Sequence, residues 1–149
     1  EVAGQTLVLN GVALRKKAVF KVYVAGLYLT ARSTSADSVL AADAARRMVM
    51  QFVRDVGKEK MCEAWDEALK NNTPDASEQL KADFTTLCGY MDDIKDGQQF
   101  VFTYVPGSGT EVSVAGTVKG TIAGKDFAVD LLRLLKLTRL VQRQPLFHA

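Results

Sequence analysis

The chain has 149 residues, 48% of them hydrophobic and 24% charged, with a formal net charge of +2. That length and balance suit one folded domain with a single core, and no apolar run approaches the roughly 20 residues a bilayer-spanning helix needs. No basic stripe is interleaved with stacking aromatics and no nucleic-acid motif occurs, so no nucleic-acid partner is expected.

Thr6 to Leu9 reads as a short strand. Val19 to Leu29 is a long one, crowded with Val, Phe, Tyr and Leu in the manner of a strand buried on most of its surface. Arg15 stands at its entry, beside Lys16 and Lys17. A guanidinium keeps its proton and offers a planar fork of donors, so at the edge of a core it suits a carboxylate or an oxyanion; the alternative is a solvated basic turn. A Ser/Thr/Ala-rich connection follows, with a helical turn near Asp37 to Ala42, and Arg47 to Arg54 then alternates as a strand.

The period next changes. Met61, Ala64, Trp65, Ala68 and Leu69 share one face of a helix from about Lys58 to Lys70, which Asn71 and Asn72 end, while Glu63, Asp66 and Glu67 fall on its solvated side. Thr73 followed by Pro74 reads as an N-cap and first helical position, and the helix so begun buries Leu80, Phe84, Leu87, Cys88 and Met91. Strands return at Gln99 to Val105, Glu111 to Val114 and Thr117 to Ile122, separated by a turn at Pro106 to Gly109 and a tight turn at Ala115 and Gly116. A last helix after Gly124 presents Phe127, Leu131, Leu134 and Leu135 along one side. This order predicts an α+β fold, a mostly antiparallel sheet covered on one face by a helical layer. With no repeat or linker to divide the chain, residues 1–149 read as a single domain.

Catalytic and metal-binding constellations are sparse. The single histidine, His148, lies near the C-terminus, and the glycine clusters fall in hairpins rather than between a strand and a helix. No metal site and no cofactor are expected; haem, with Tyr23, His148 or a methionine as axial ligand, is a remote alternative. Cys62 and Cys88 lack metal-ligand spacing, and Cys88 on an apolar helix face reads as a free buried thiol, although an oxidising compartment would tolerate a disulfide. Arg133, Lys136, Arg139 and Arg143 recur at near-helical spacing opposite the leucines. They form either the solvated side of a packed helix or a basic face for an anionic membrane or an acidic protein partner.

LNGVALR followed by FKVYVAGLYL resembles the opening of the chalcone isomerase-like family, in which a Gly-Ala-Gly-x-Arg turn leads into a strand ending Gly-hydrophobic-Tyr-Leu. Here the turn reads Gly11 to Arg15 and the strand ends Gly26, Leu27, Tyr28, Leu29. The resemblance continues through FVRDVGKEKMCEAWDEALKNN, YVPGSGTEVSVAG and KGTIAGKDFAVDLLRLL, to about Leu135, and is nearest to the short bacterial branch. It implies a large curved sheet, an open-faced sandwich, with a cleft between sheet and helices.

In the plant enzymes of this family an arginine polarises the substrate ketone, assisted by hydroxyl groups. Arg15 matches that arginine, but Tyr23 replaces the strand threonine, and Lys60 and Glu67 are the nearest matches to the expected helix tyrosine and asparagine. Each missing donor is worth roughly 100-fold or more in comparable sites, so isomerase activity is not expected. Non-catalytic relatives bind fatty acids through the same arginine. The resemblance therefore implies a binding protein for a fatty acid or another small amphipathic acid, with Arg15 and Tyr23 on the carboxylate and Phe20, Met50, Phe52, Met61 and Trp65 around the chain. The alternatives are a weak isomerase or lyase acting on an enone, or an interaction protein using the basic C-terminal helix. Similar bacterial proteins often carry a secretion signal, and the chain begins at Glu1 without methionine. A mature periplasmic or secreted protein is expected, with the cytoplasm left open. The family's usual Trp-Leu-Gly stop and proline-containing tail are replaced here by LKLTRLVQRQPLFHA.

Overall fold

A computed structural model describes residues 2–17 and 19–141. Among these residues the strands form one six-stranded antiparallel sheet in sequential order: β1 (Val8–Lys17), β2 (Phe20–Leu29), β3 (Arg46–Phe52), β4 (Gln99–Val105), β5 (Gly109–Val114) and β6 (Thr117–Ile122). Helix α1 (Ala36–Ala41) joins β2 to β3, and α2 (Lys58–Asn72) and α3 (Glu78–Tyr90) lie between β3 and β4. Helices α4 (Lys125–Leu134) and α5 (Leu137–Val141) follow β6. The α+β architecture is as predicted.

Period-2 alternation decides which face carries the core. Ala25, Leu27 and Leu29 of β2, Met48, Met50 and Phe52 of β3, Phe100 and Phe102 of β4, and Val112 and Val114 of β5 are all buried in one cluster. The helices close that cluster with Met61, Trp65 and Leu69 from α2, Leu80, Phe84 and Leu87 from α3, and Phe127, Leu131 and Leu134 from α4. At roughly 1.5–3 kcal/mol per buried large apolar side chain, this layer contact supplies most of the drive to fold.

Two boundaries differ from the sequence reading in ways that matter for the site. The stretch Gly11 to Arg15, expected as a turn, is extended and belongs to β1, so the hairpin turn falls after Lys17. Cross-strand pairing with Gly26, Ala25 and Val24 holds Val12, Ala13 and Leu14 in the ladder, and Arg15 sits near the end of one strand rather than at the start of the next. Gly11 is required because a β-carbon there would collide with the carbonyl of Leu140, where α5 crosses β1. Beside it, Asn10 marks a register shift, and its side chain donates to Ser33 O and Leu140 O at 3.0 Å each while accepting from Ser33 N at 2.8 Å.

The second difference is in the helical layer. Ser77, not Thr73, caps α3, accepting from Leu80 N at 3.1 Å. Thr73 ends α2 instead, and its hydroxyl donates to Asp130 of α4 at 2.5 Å. Thr-Pro gave the right chemistry for a cap, but the buried Asp130 carboxylate competes for that hydroxyl.

Cys62 and Cys88 are disulfide-bonded rather than free, joining the start of α2 to the end of α3 with Cα atoms 5.2 Å apart. Helical periodicity placed Cys88 on an apolar face, but could not show that antiparallel packing brings Cys62 opposite it. The same end of the helix pair is tied by the Val56–Ile94 bridge and by Asp93, which accepts from Lys58 N at 2.8 Å where Gly57 supplies no capping side chain.

Candidate functional site

Arg15 and Tyr23 are direct cross-strand partners on β1 and β2. They share strand parity with Ala13 and Ala25, on the helix-bearing side of the sheet and at its open end. Arg15 is exposed, and among the described residues no carboxylate pairs with it. Tyr23 is half-buried, its ring 5.5 Å from that of Phe52. Burial raises the pKa of Tyr23, with the positive charge of Arg15 pulling the other way, so it stays a neutral phenol with a proton to donate. A guanidinium fork beside a phenol O–H offers hydrogen-bond donors from two sides to a carboxylate, which accepts both.

Behind this pair lie four of the five apolar residues expected around a ligand chain. Phe52 is fully buried against Phe100, ring centroids 4.9 Å apart, and Met50 and Met61 are buried in the same cluster. Trp65 packs between Phe84 and Phe102 at 6.4 and 6.0 Å, and its indole N–H is buried without an acceptor. The space between sheet and helices at this point is therefore occupied by the protein's own side chains. Phe20 does not join them. It is 56% exposed, on the parity of Val22 and Val24, with the Arg54 guanidinium 4.5 Å from its ring centroid.

The remaining sequence candidates are set apart from this end. Lys60 and Glu67 are exposed on α2 and face away from the core. Arg133, Lys136 and Arg139 are exposed, while Leu134, Leu137 and Leu140 beside them are buried. Arg143 and His148 lie outside the described residues.

A cavity of about 250 Å³ opens at the opposite end of β2, lined by Leu29, Ala31, Val39, Ala42, Ala45 and Arg46 among others. Arg46 is only 4% exposed. Its Nη1 donates to Ala42 O at 3.4 Å, its guanidinium lies 4.7 Å from the Tyr104 ring centroid, and its Nη2 is buried without a partner. Burial draws its pKa below the usual arginine value, against the opposing pull of Tyr104 and Asp43. Tyr104 donates its hydroxyl to Asp43 at 2.5 Å, and burial together with that bond pushes its pKa up to about 12. Sequence reasoning passed over Arg46, although its signal was present: in RRMVMQF, alternation puts Arg46 on the same face as Met48, Met50 and Phe52.

Comparison with known proteins agrees with this architecture. The profile of the family described as chalcone isomerase-like matches residues 1–135. Among solved structures, a fatty-acid binding protein of Arabidopsis thaliana superposes with a TM-score of 0.70 at 21% identity, covering 93% of this chain and 87% of that one. No curated protein matches the sequence. With the profile spanning nearly the whole chain and the same open sheet under a helical layer, the chain belongs to the chalcone isomerase-like family.

Proposed function

We propose that this protein is a non-catalytic carrier of a fatty acid or a similar amphipathic carboxylic acid, with the carboxylate held by Arg15 and Tyr23 and the chain inserted between sheet and helices. The observation that carries this reading is the cross-strand pairing of an arginine that lacks a carboxylate partner among the described residues with a neutral, half-buried phenol. Family membership and the Arabidopsis fatty-acid binding protein of the same fold support it. Entry of the chain requires Phe52, Met50 and Met61 to yield. Two of these are methionines, whose unbranched side chains repack at low cost. The buried indole N–H of Trp65 is an unmet donor that a ligand or a water entering the layer would satisfy. An enone isomerase would need further donors around the substrate oxygen, and exposed Lys60 and Glu67 do not supply them.

The disulfide supports placing the protein in an oxidising compartment, the periplasm or the cell exterior. A second seat for the same ligand class is favoured by one observation, the cavity beside the buried and partly unpaired Arg46.

Native mass spectrometry of delipidated protein mixed with a series of saturated acids tests both seats. A charge-assisted hydrogen bond contributes about 1.5–3 kcal/mol, so Arg15→Ala should weaken binding by roughly 10- to 150-fold. Loss of binding in Arg46→Met with Arg15→Ala unaffected moves the ligand to the other end. A protein that takes up no acid at all removes the reading.

A further inference from the structure

We infer that the tip of the β1–β2 hairpin docks the protein onto an anionic lipid bilayer. The turn and the first residue after it carry exposed apolar side chains: Val19, in the turn, is 85% exposed, and Phe20, the first residue of β2, is 56% exposed. Val53, at the end of β3, is exposed beside them and bonded through its backbone N–H to Val22 O. Folding alone does not account for two large apolar side chains at a strand apex, since leaving them in water forfeits their burial.

The charged residues of the β1–β2 hairpin all have one sign. The sequence between Val2 and Ala36 contains no aspartate or glutamate, and Arg15, Lys16, Lys17 and Lys21 lie at this end of the β1–β2 hairpin. Lys16 and Lys21 are direct cross-strand partners, an arrangement of like charges that opposes the pairing in water and is relieved by a polyanionic surface. Arg54 adds a further cation over the Phe20 ring. The nearest acid in sequence, Asp55, is engaged with Asp96 N at 2.9 Å and lies 3.8 Å from Lys95.

An apolar apex above a collar of lysines and arginines matches the layering of a bilayer, where anionic headgroups overlie hydrocarbon. An acidic protein surface would answer the charges but would leave Val19 and Phe20 without hydrocarbon to enter. The same end of the sheet carries Arg15 and Tyr23, so a docked protein presents the proposed carboxylate site to the membrane. The docking itself does not depend on that site being occupied.

The test is co-sedimentation of delipidated protein with vesicles of pure phosphatidylcholine and of phosphatidylcholine containing phosphatidylglycerol. Binding is expected only to the anionic vesicles and should fall steeply with salt. Lys16→Ser and Lys17→Ser should each weaken it about 5-fold. Val19→Glu should weaken it at least as much while leaving the melting temperature unchanged, since the residue is exposed. Binding that Val19→Glu leaves intact, equal binding to neutral vesicles, or no binding to either overturns the inference. Fatty-acid uptake measured on the same Val19→Glu protein reports on the carboxylate site separately.

Discussion

Cutting the Cys62–Cys88 bond should lower stability by an amount that the chain itself sets. The bond closes a loop with a sequence separation of 26. In the chain-entropy account, a loop of that size removes about 12 cal/mol/K from the unfolded ensemble, or about 3.5 kcal/mol at 25 °C. For a domain of this length each kcal/mol moves the melting temperature by about 2–4 °C, so the expected loss is roughly 7–14 °C. The loss should be largely recovered as a difference between oxidised and reduced wild type, and Cys62→Ala with Cys88→Ala should melt near the reduced protein. Differential scanning calorimetry with and without reductant measures it, alongside thiol titration of the unfolded, unreduced chain. Free thiols in the protein as purified, or coincident melting of oxidised and reduced forms, would refute the reasoning. Because the bond secures α2 and α3 at one end while Met61 and Trp65 sit beneath them, reduction should also speed fatty-acid uptake if uptake depends on loosening that layer.

Further outcomes follow from individual side chains. Asn10→Ala removes three hydrogen bonds linking β1 to Ser33 and Leu140 and should cost about 1.5–3 kcal/mol by urea titration, at roughly 0.5–1 kcal/mol per bond. Gly11→Ala forces the Leu140 carbonyl of α5 off β1 and should cost about 1–3 kcal/mol, the usual range for overpacking. Trp65→Phe should cost far less than Trp65→Ala in a thermal melt, because it discards the unpaired indole N–H while keeping an aromatic ring between Phe84 and Phe102. For Tyr104 the folded pKa of about 12 exceeds the usual 10.0, so its stabilising contribution is complete below pH 10 and is lost as pH rises through 12. The melting temperature of wild type should therefore fall more steeply across that window than that of Tyr104→Phe, with Tyr23 contributing a fall of the same sign in both proteins. Equal slopes would show that the Asp43 bond does not hold the phenol neutral.

Much of this fold was legible as periodicity. The run from Met61 to Leu69 announced α2, Gln99–Val105 and Thr117–Ile122 coincide with β4 and β6, and Ala115 and Gly116 make their tight turn with positive φ of 50° and 87°. These features depend on neighbours a few residues apart, and side-chain spacing records such contacts directly. The order of motifs was equally sufficient for the family.

Contacts between distant segments decided the rest. That Gly11 to Arg15 is strand depends on Leu27 to Tyr23 being opposite it and on Leu140 lying across Gly11, 129 residues away by position. Whether two cysteines bond and whether Thr73 caps α3 or serves Asp130 are likewise questions of what arrives from elsewhere in the chain. The resemblance to the family made Arg15 and Tyr23 candidates for a carboxylate. Only antiparallel pairing made them neighbours, and only packing of the helical layer set Met50, Phe52, Met61 and Trp65 behind them while leaving Phe20 outside, because burial is a property of the assembled layers and no single strand carries it.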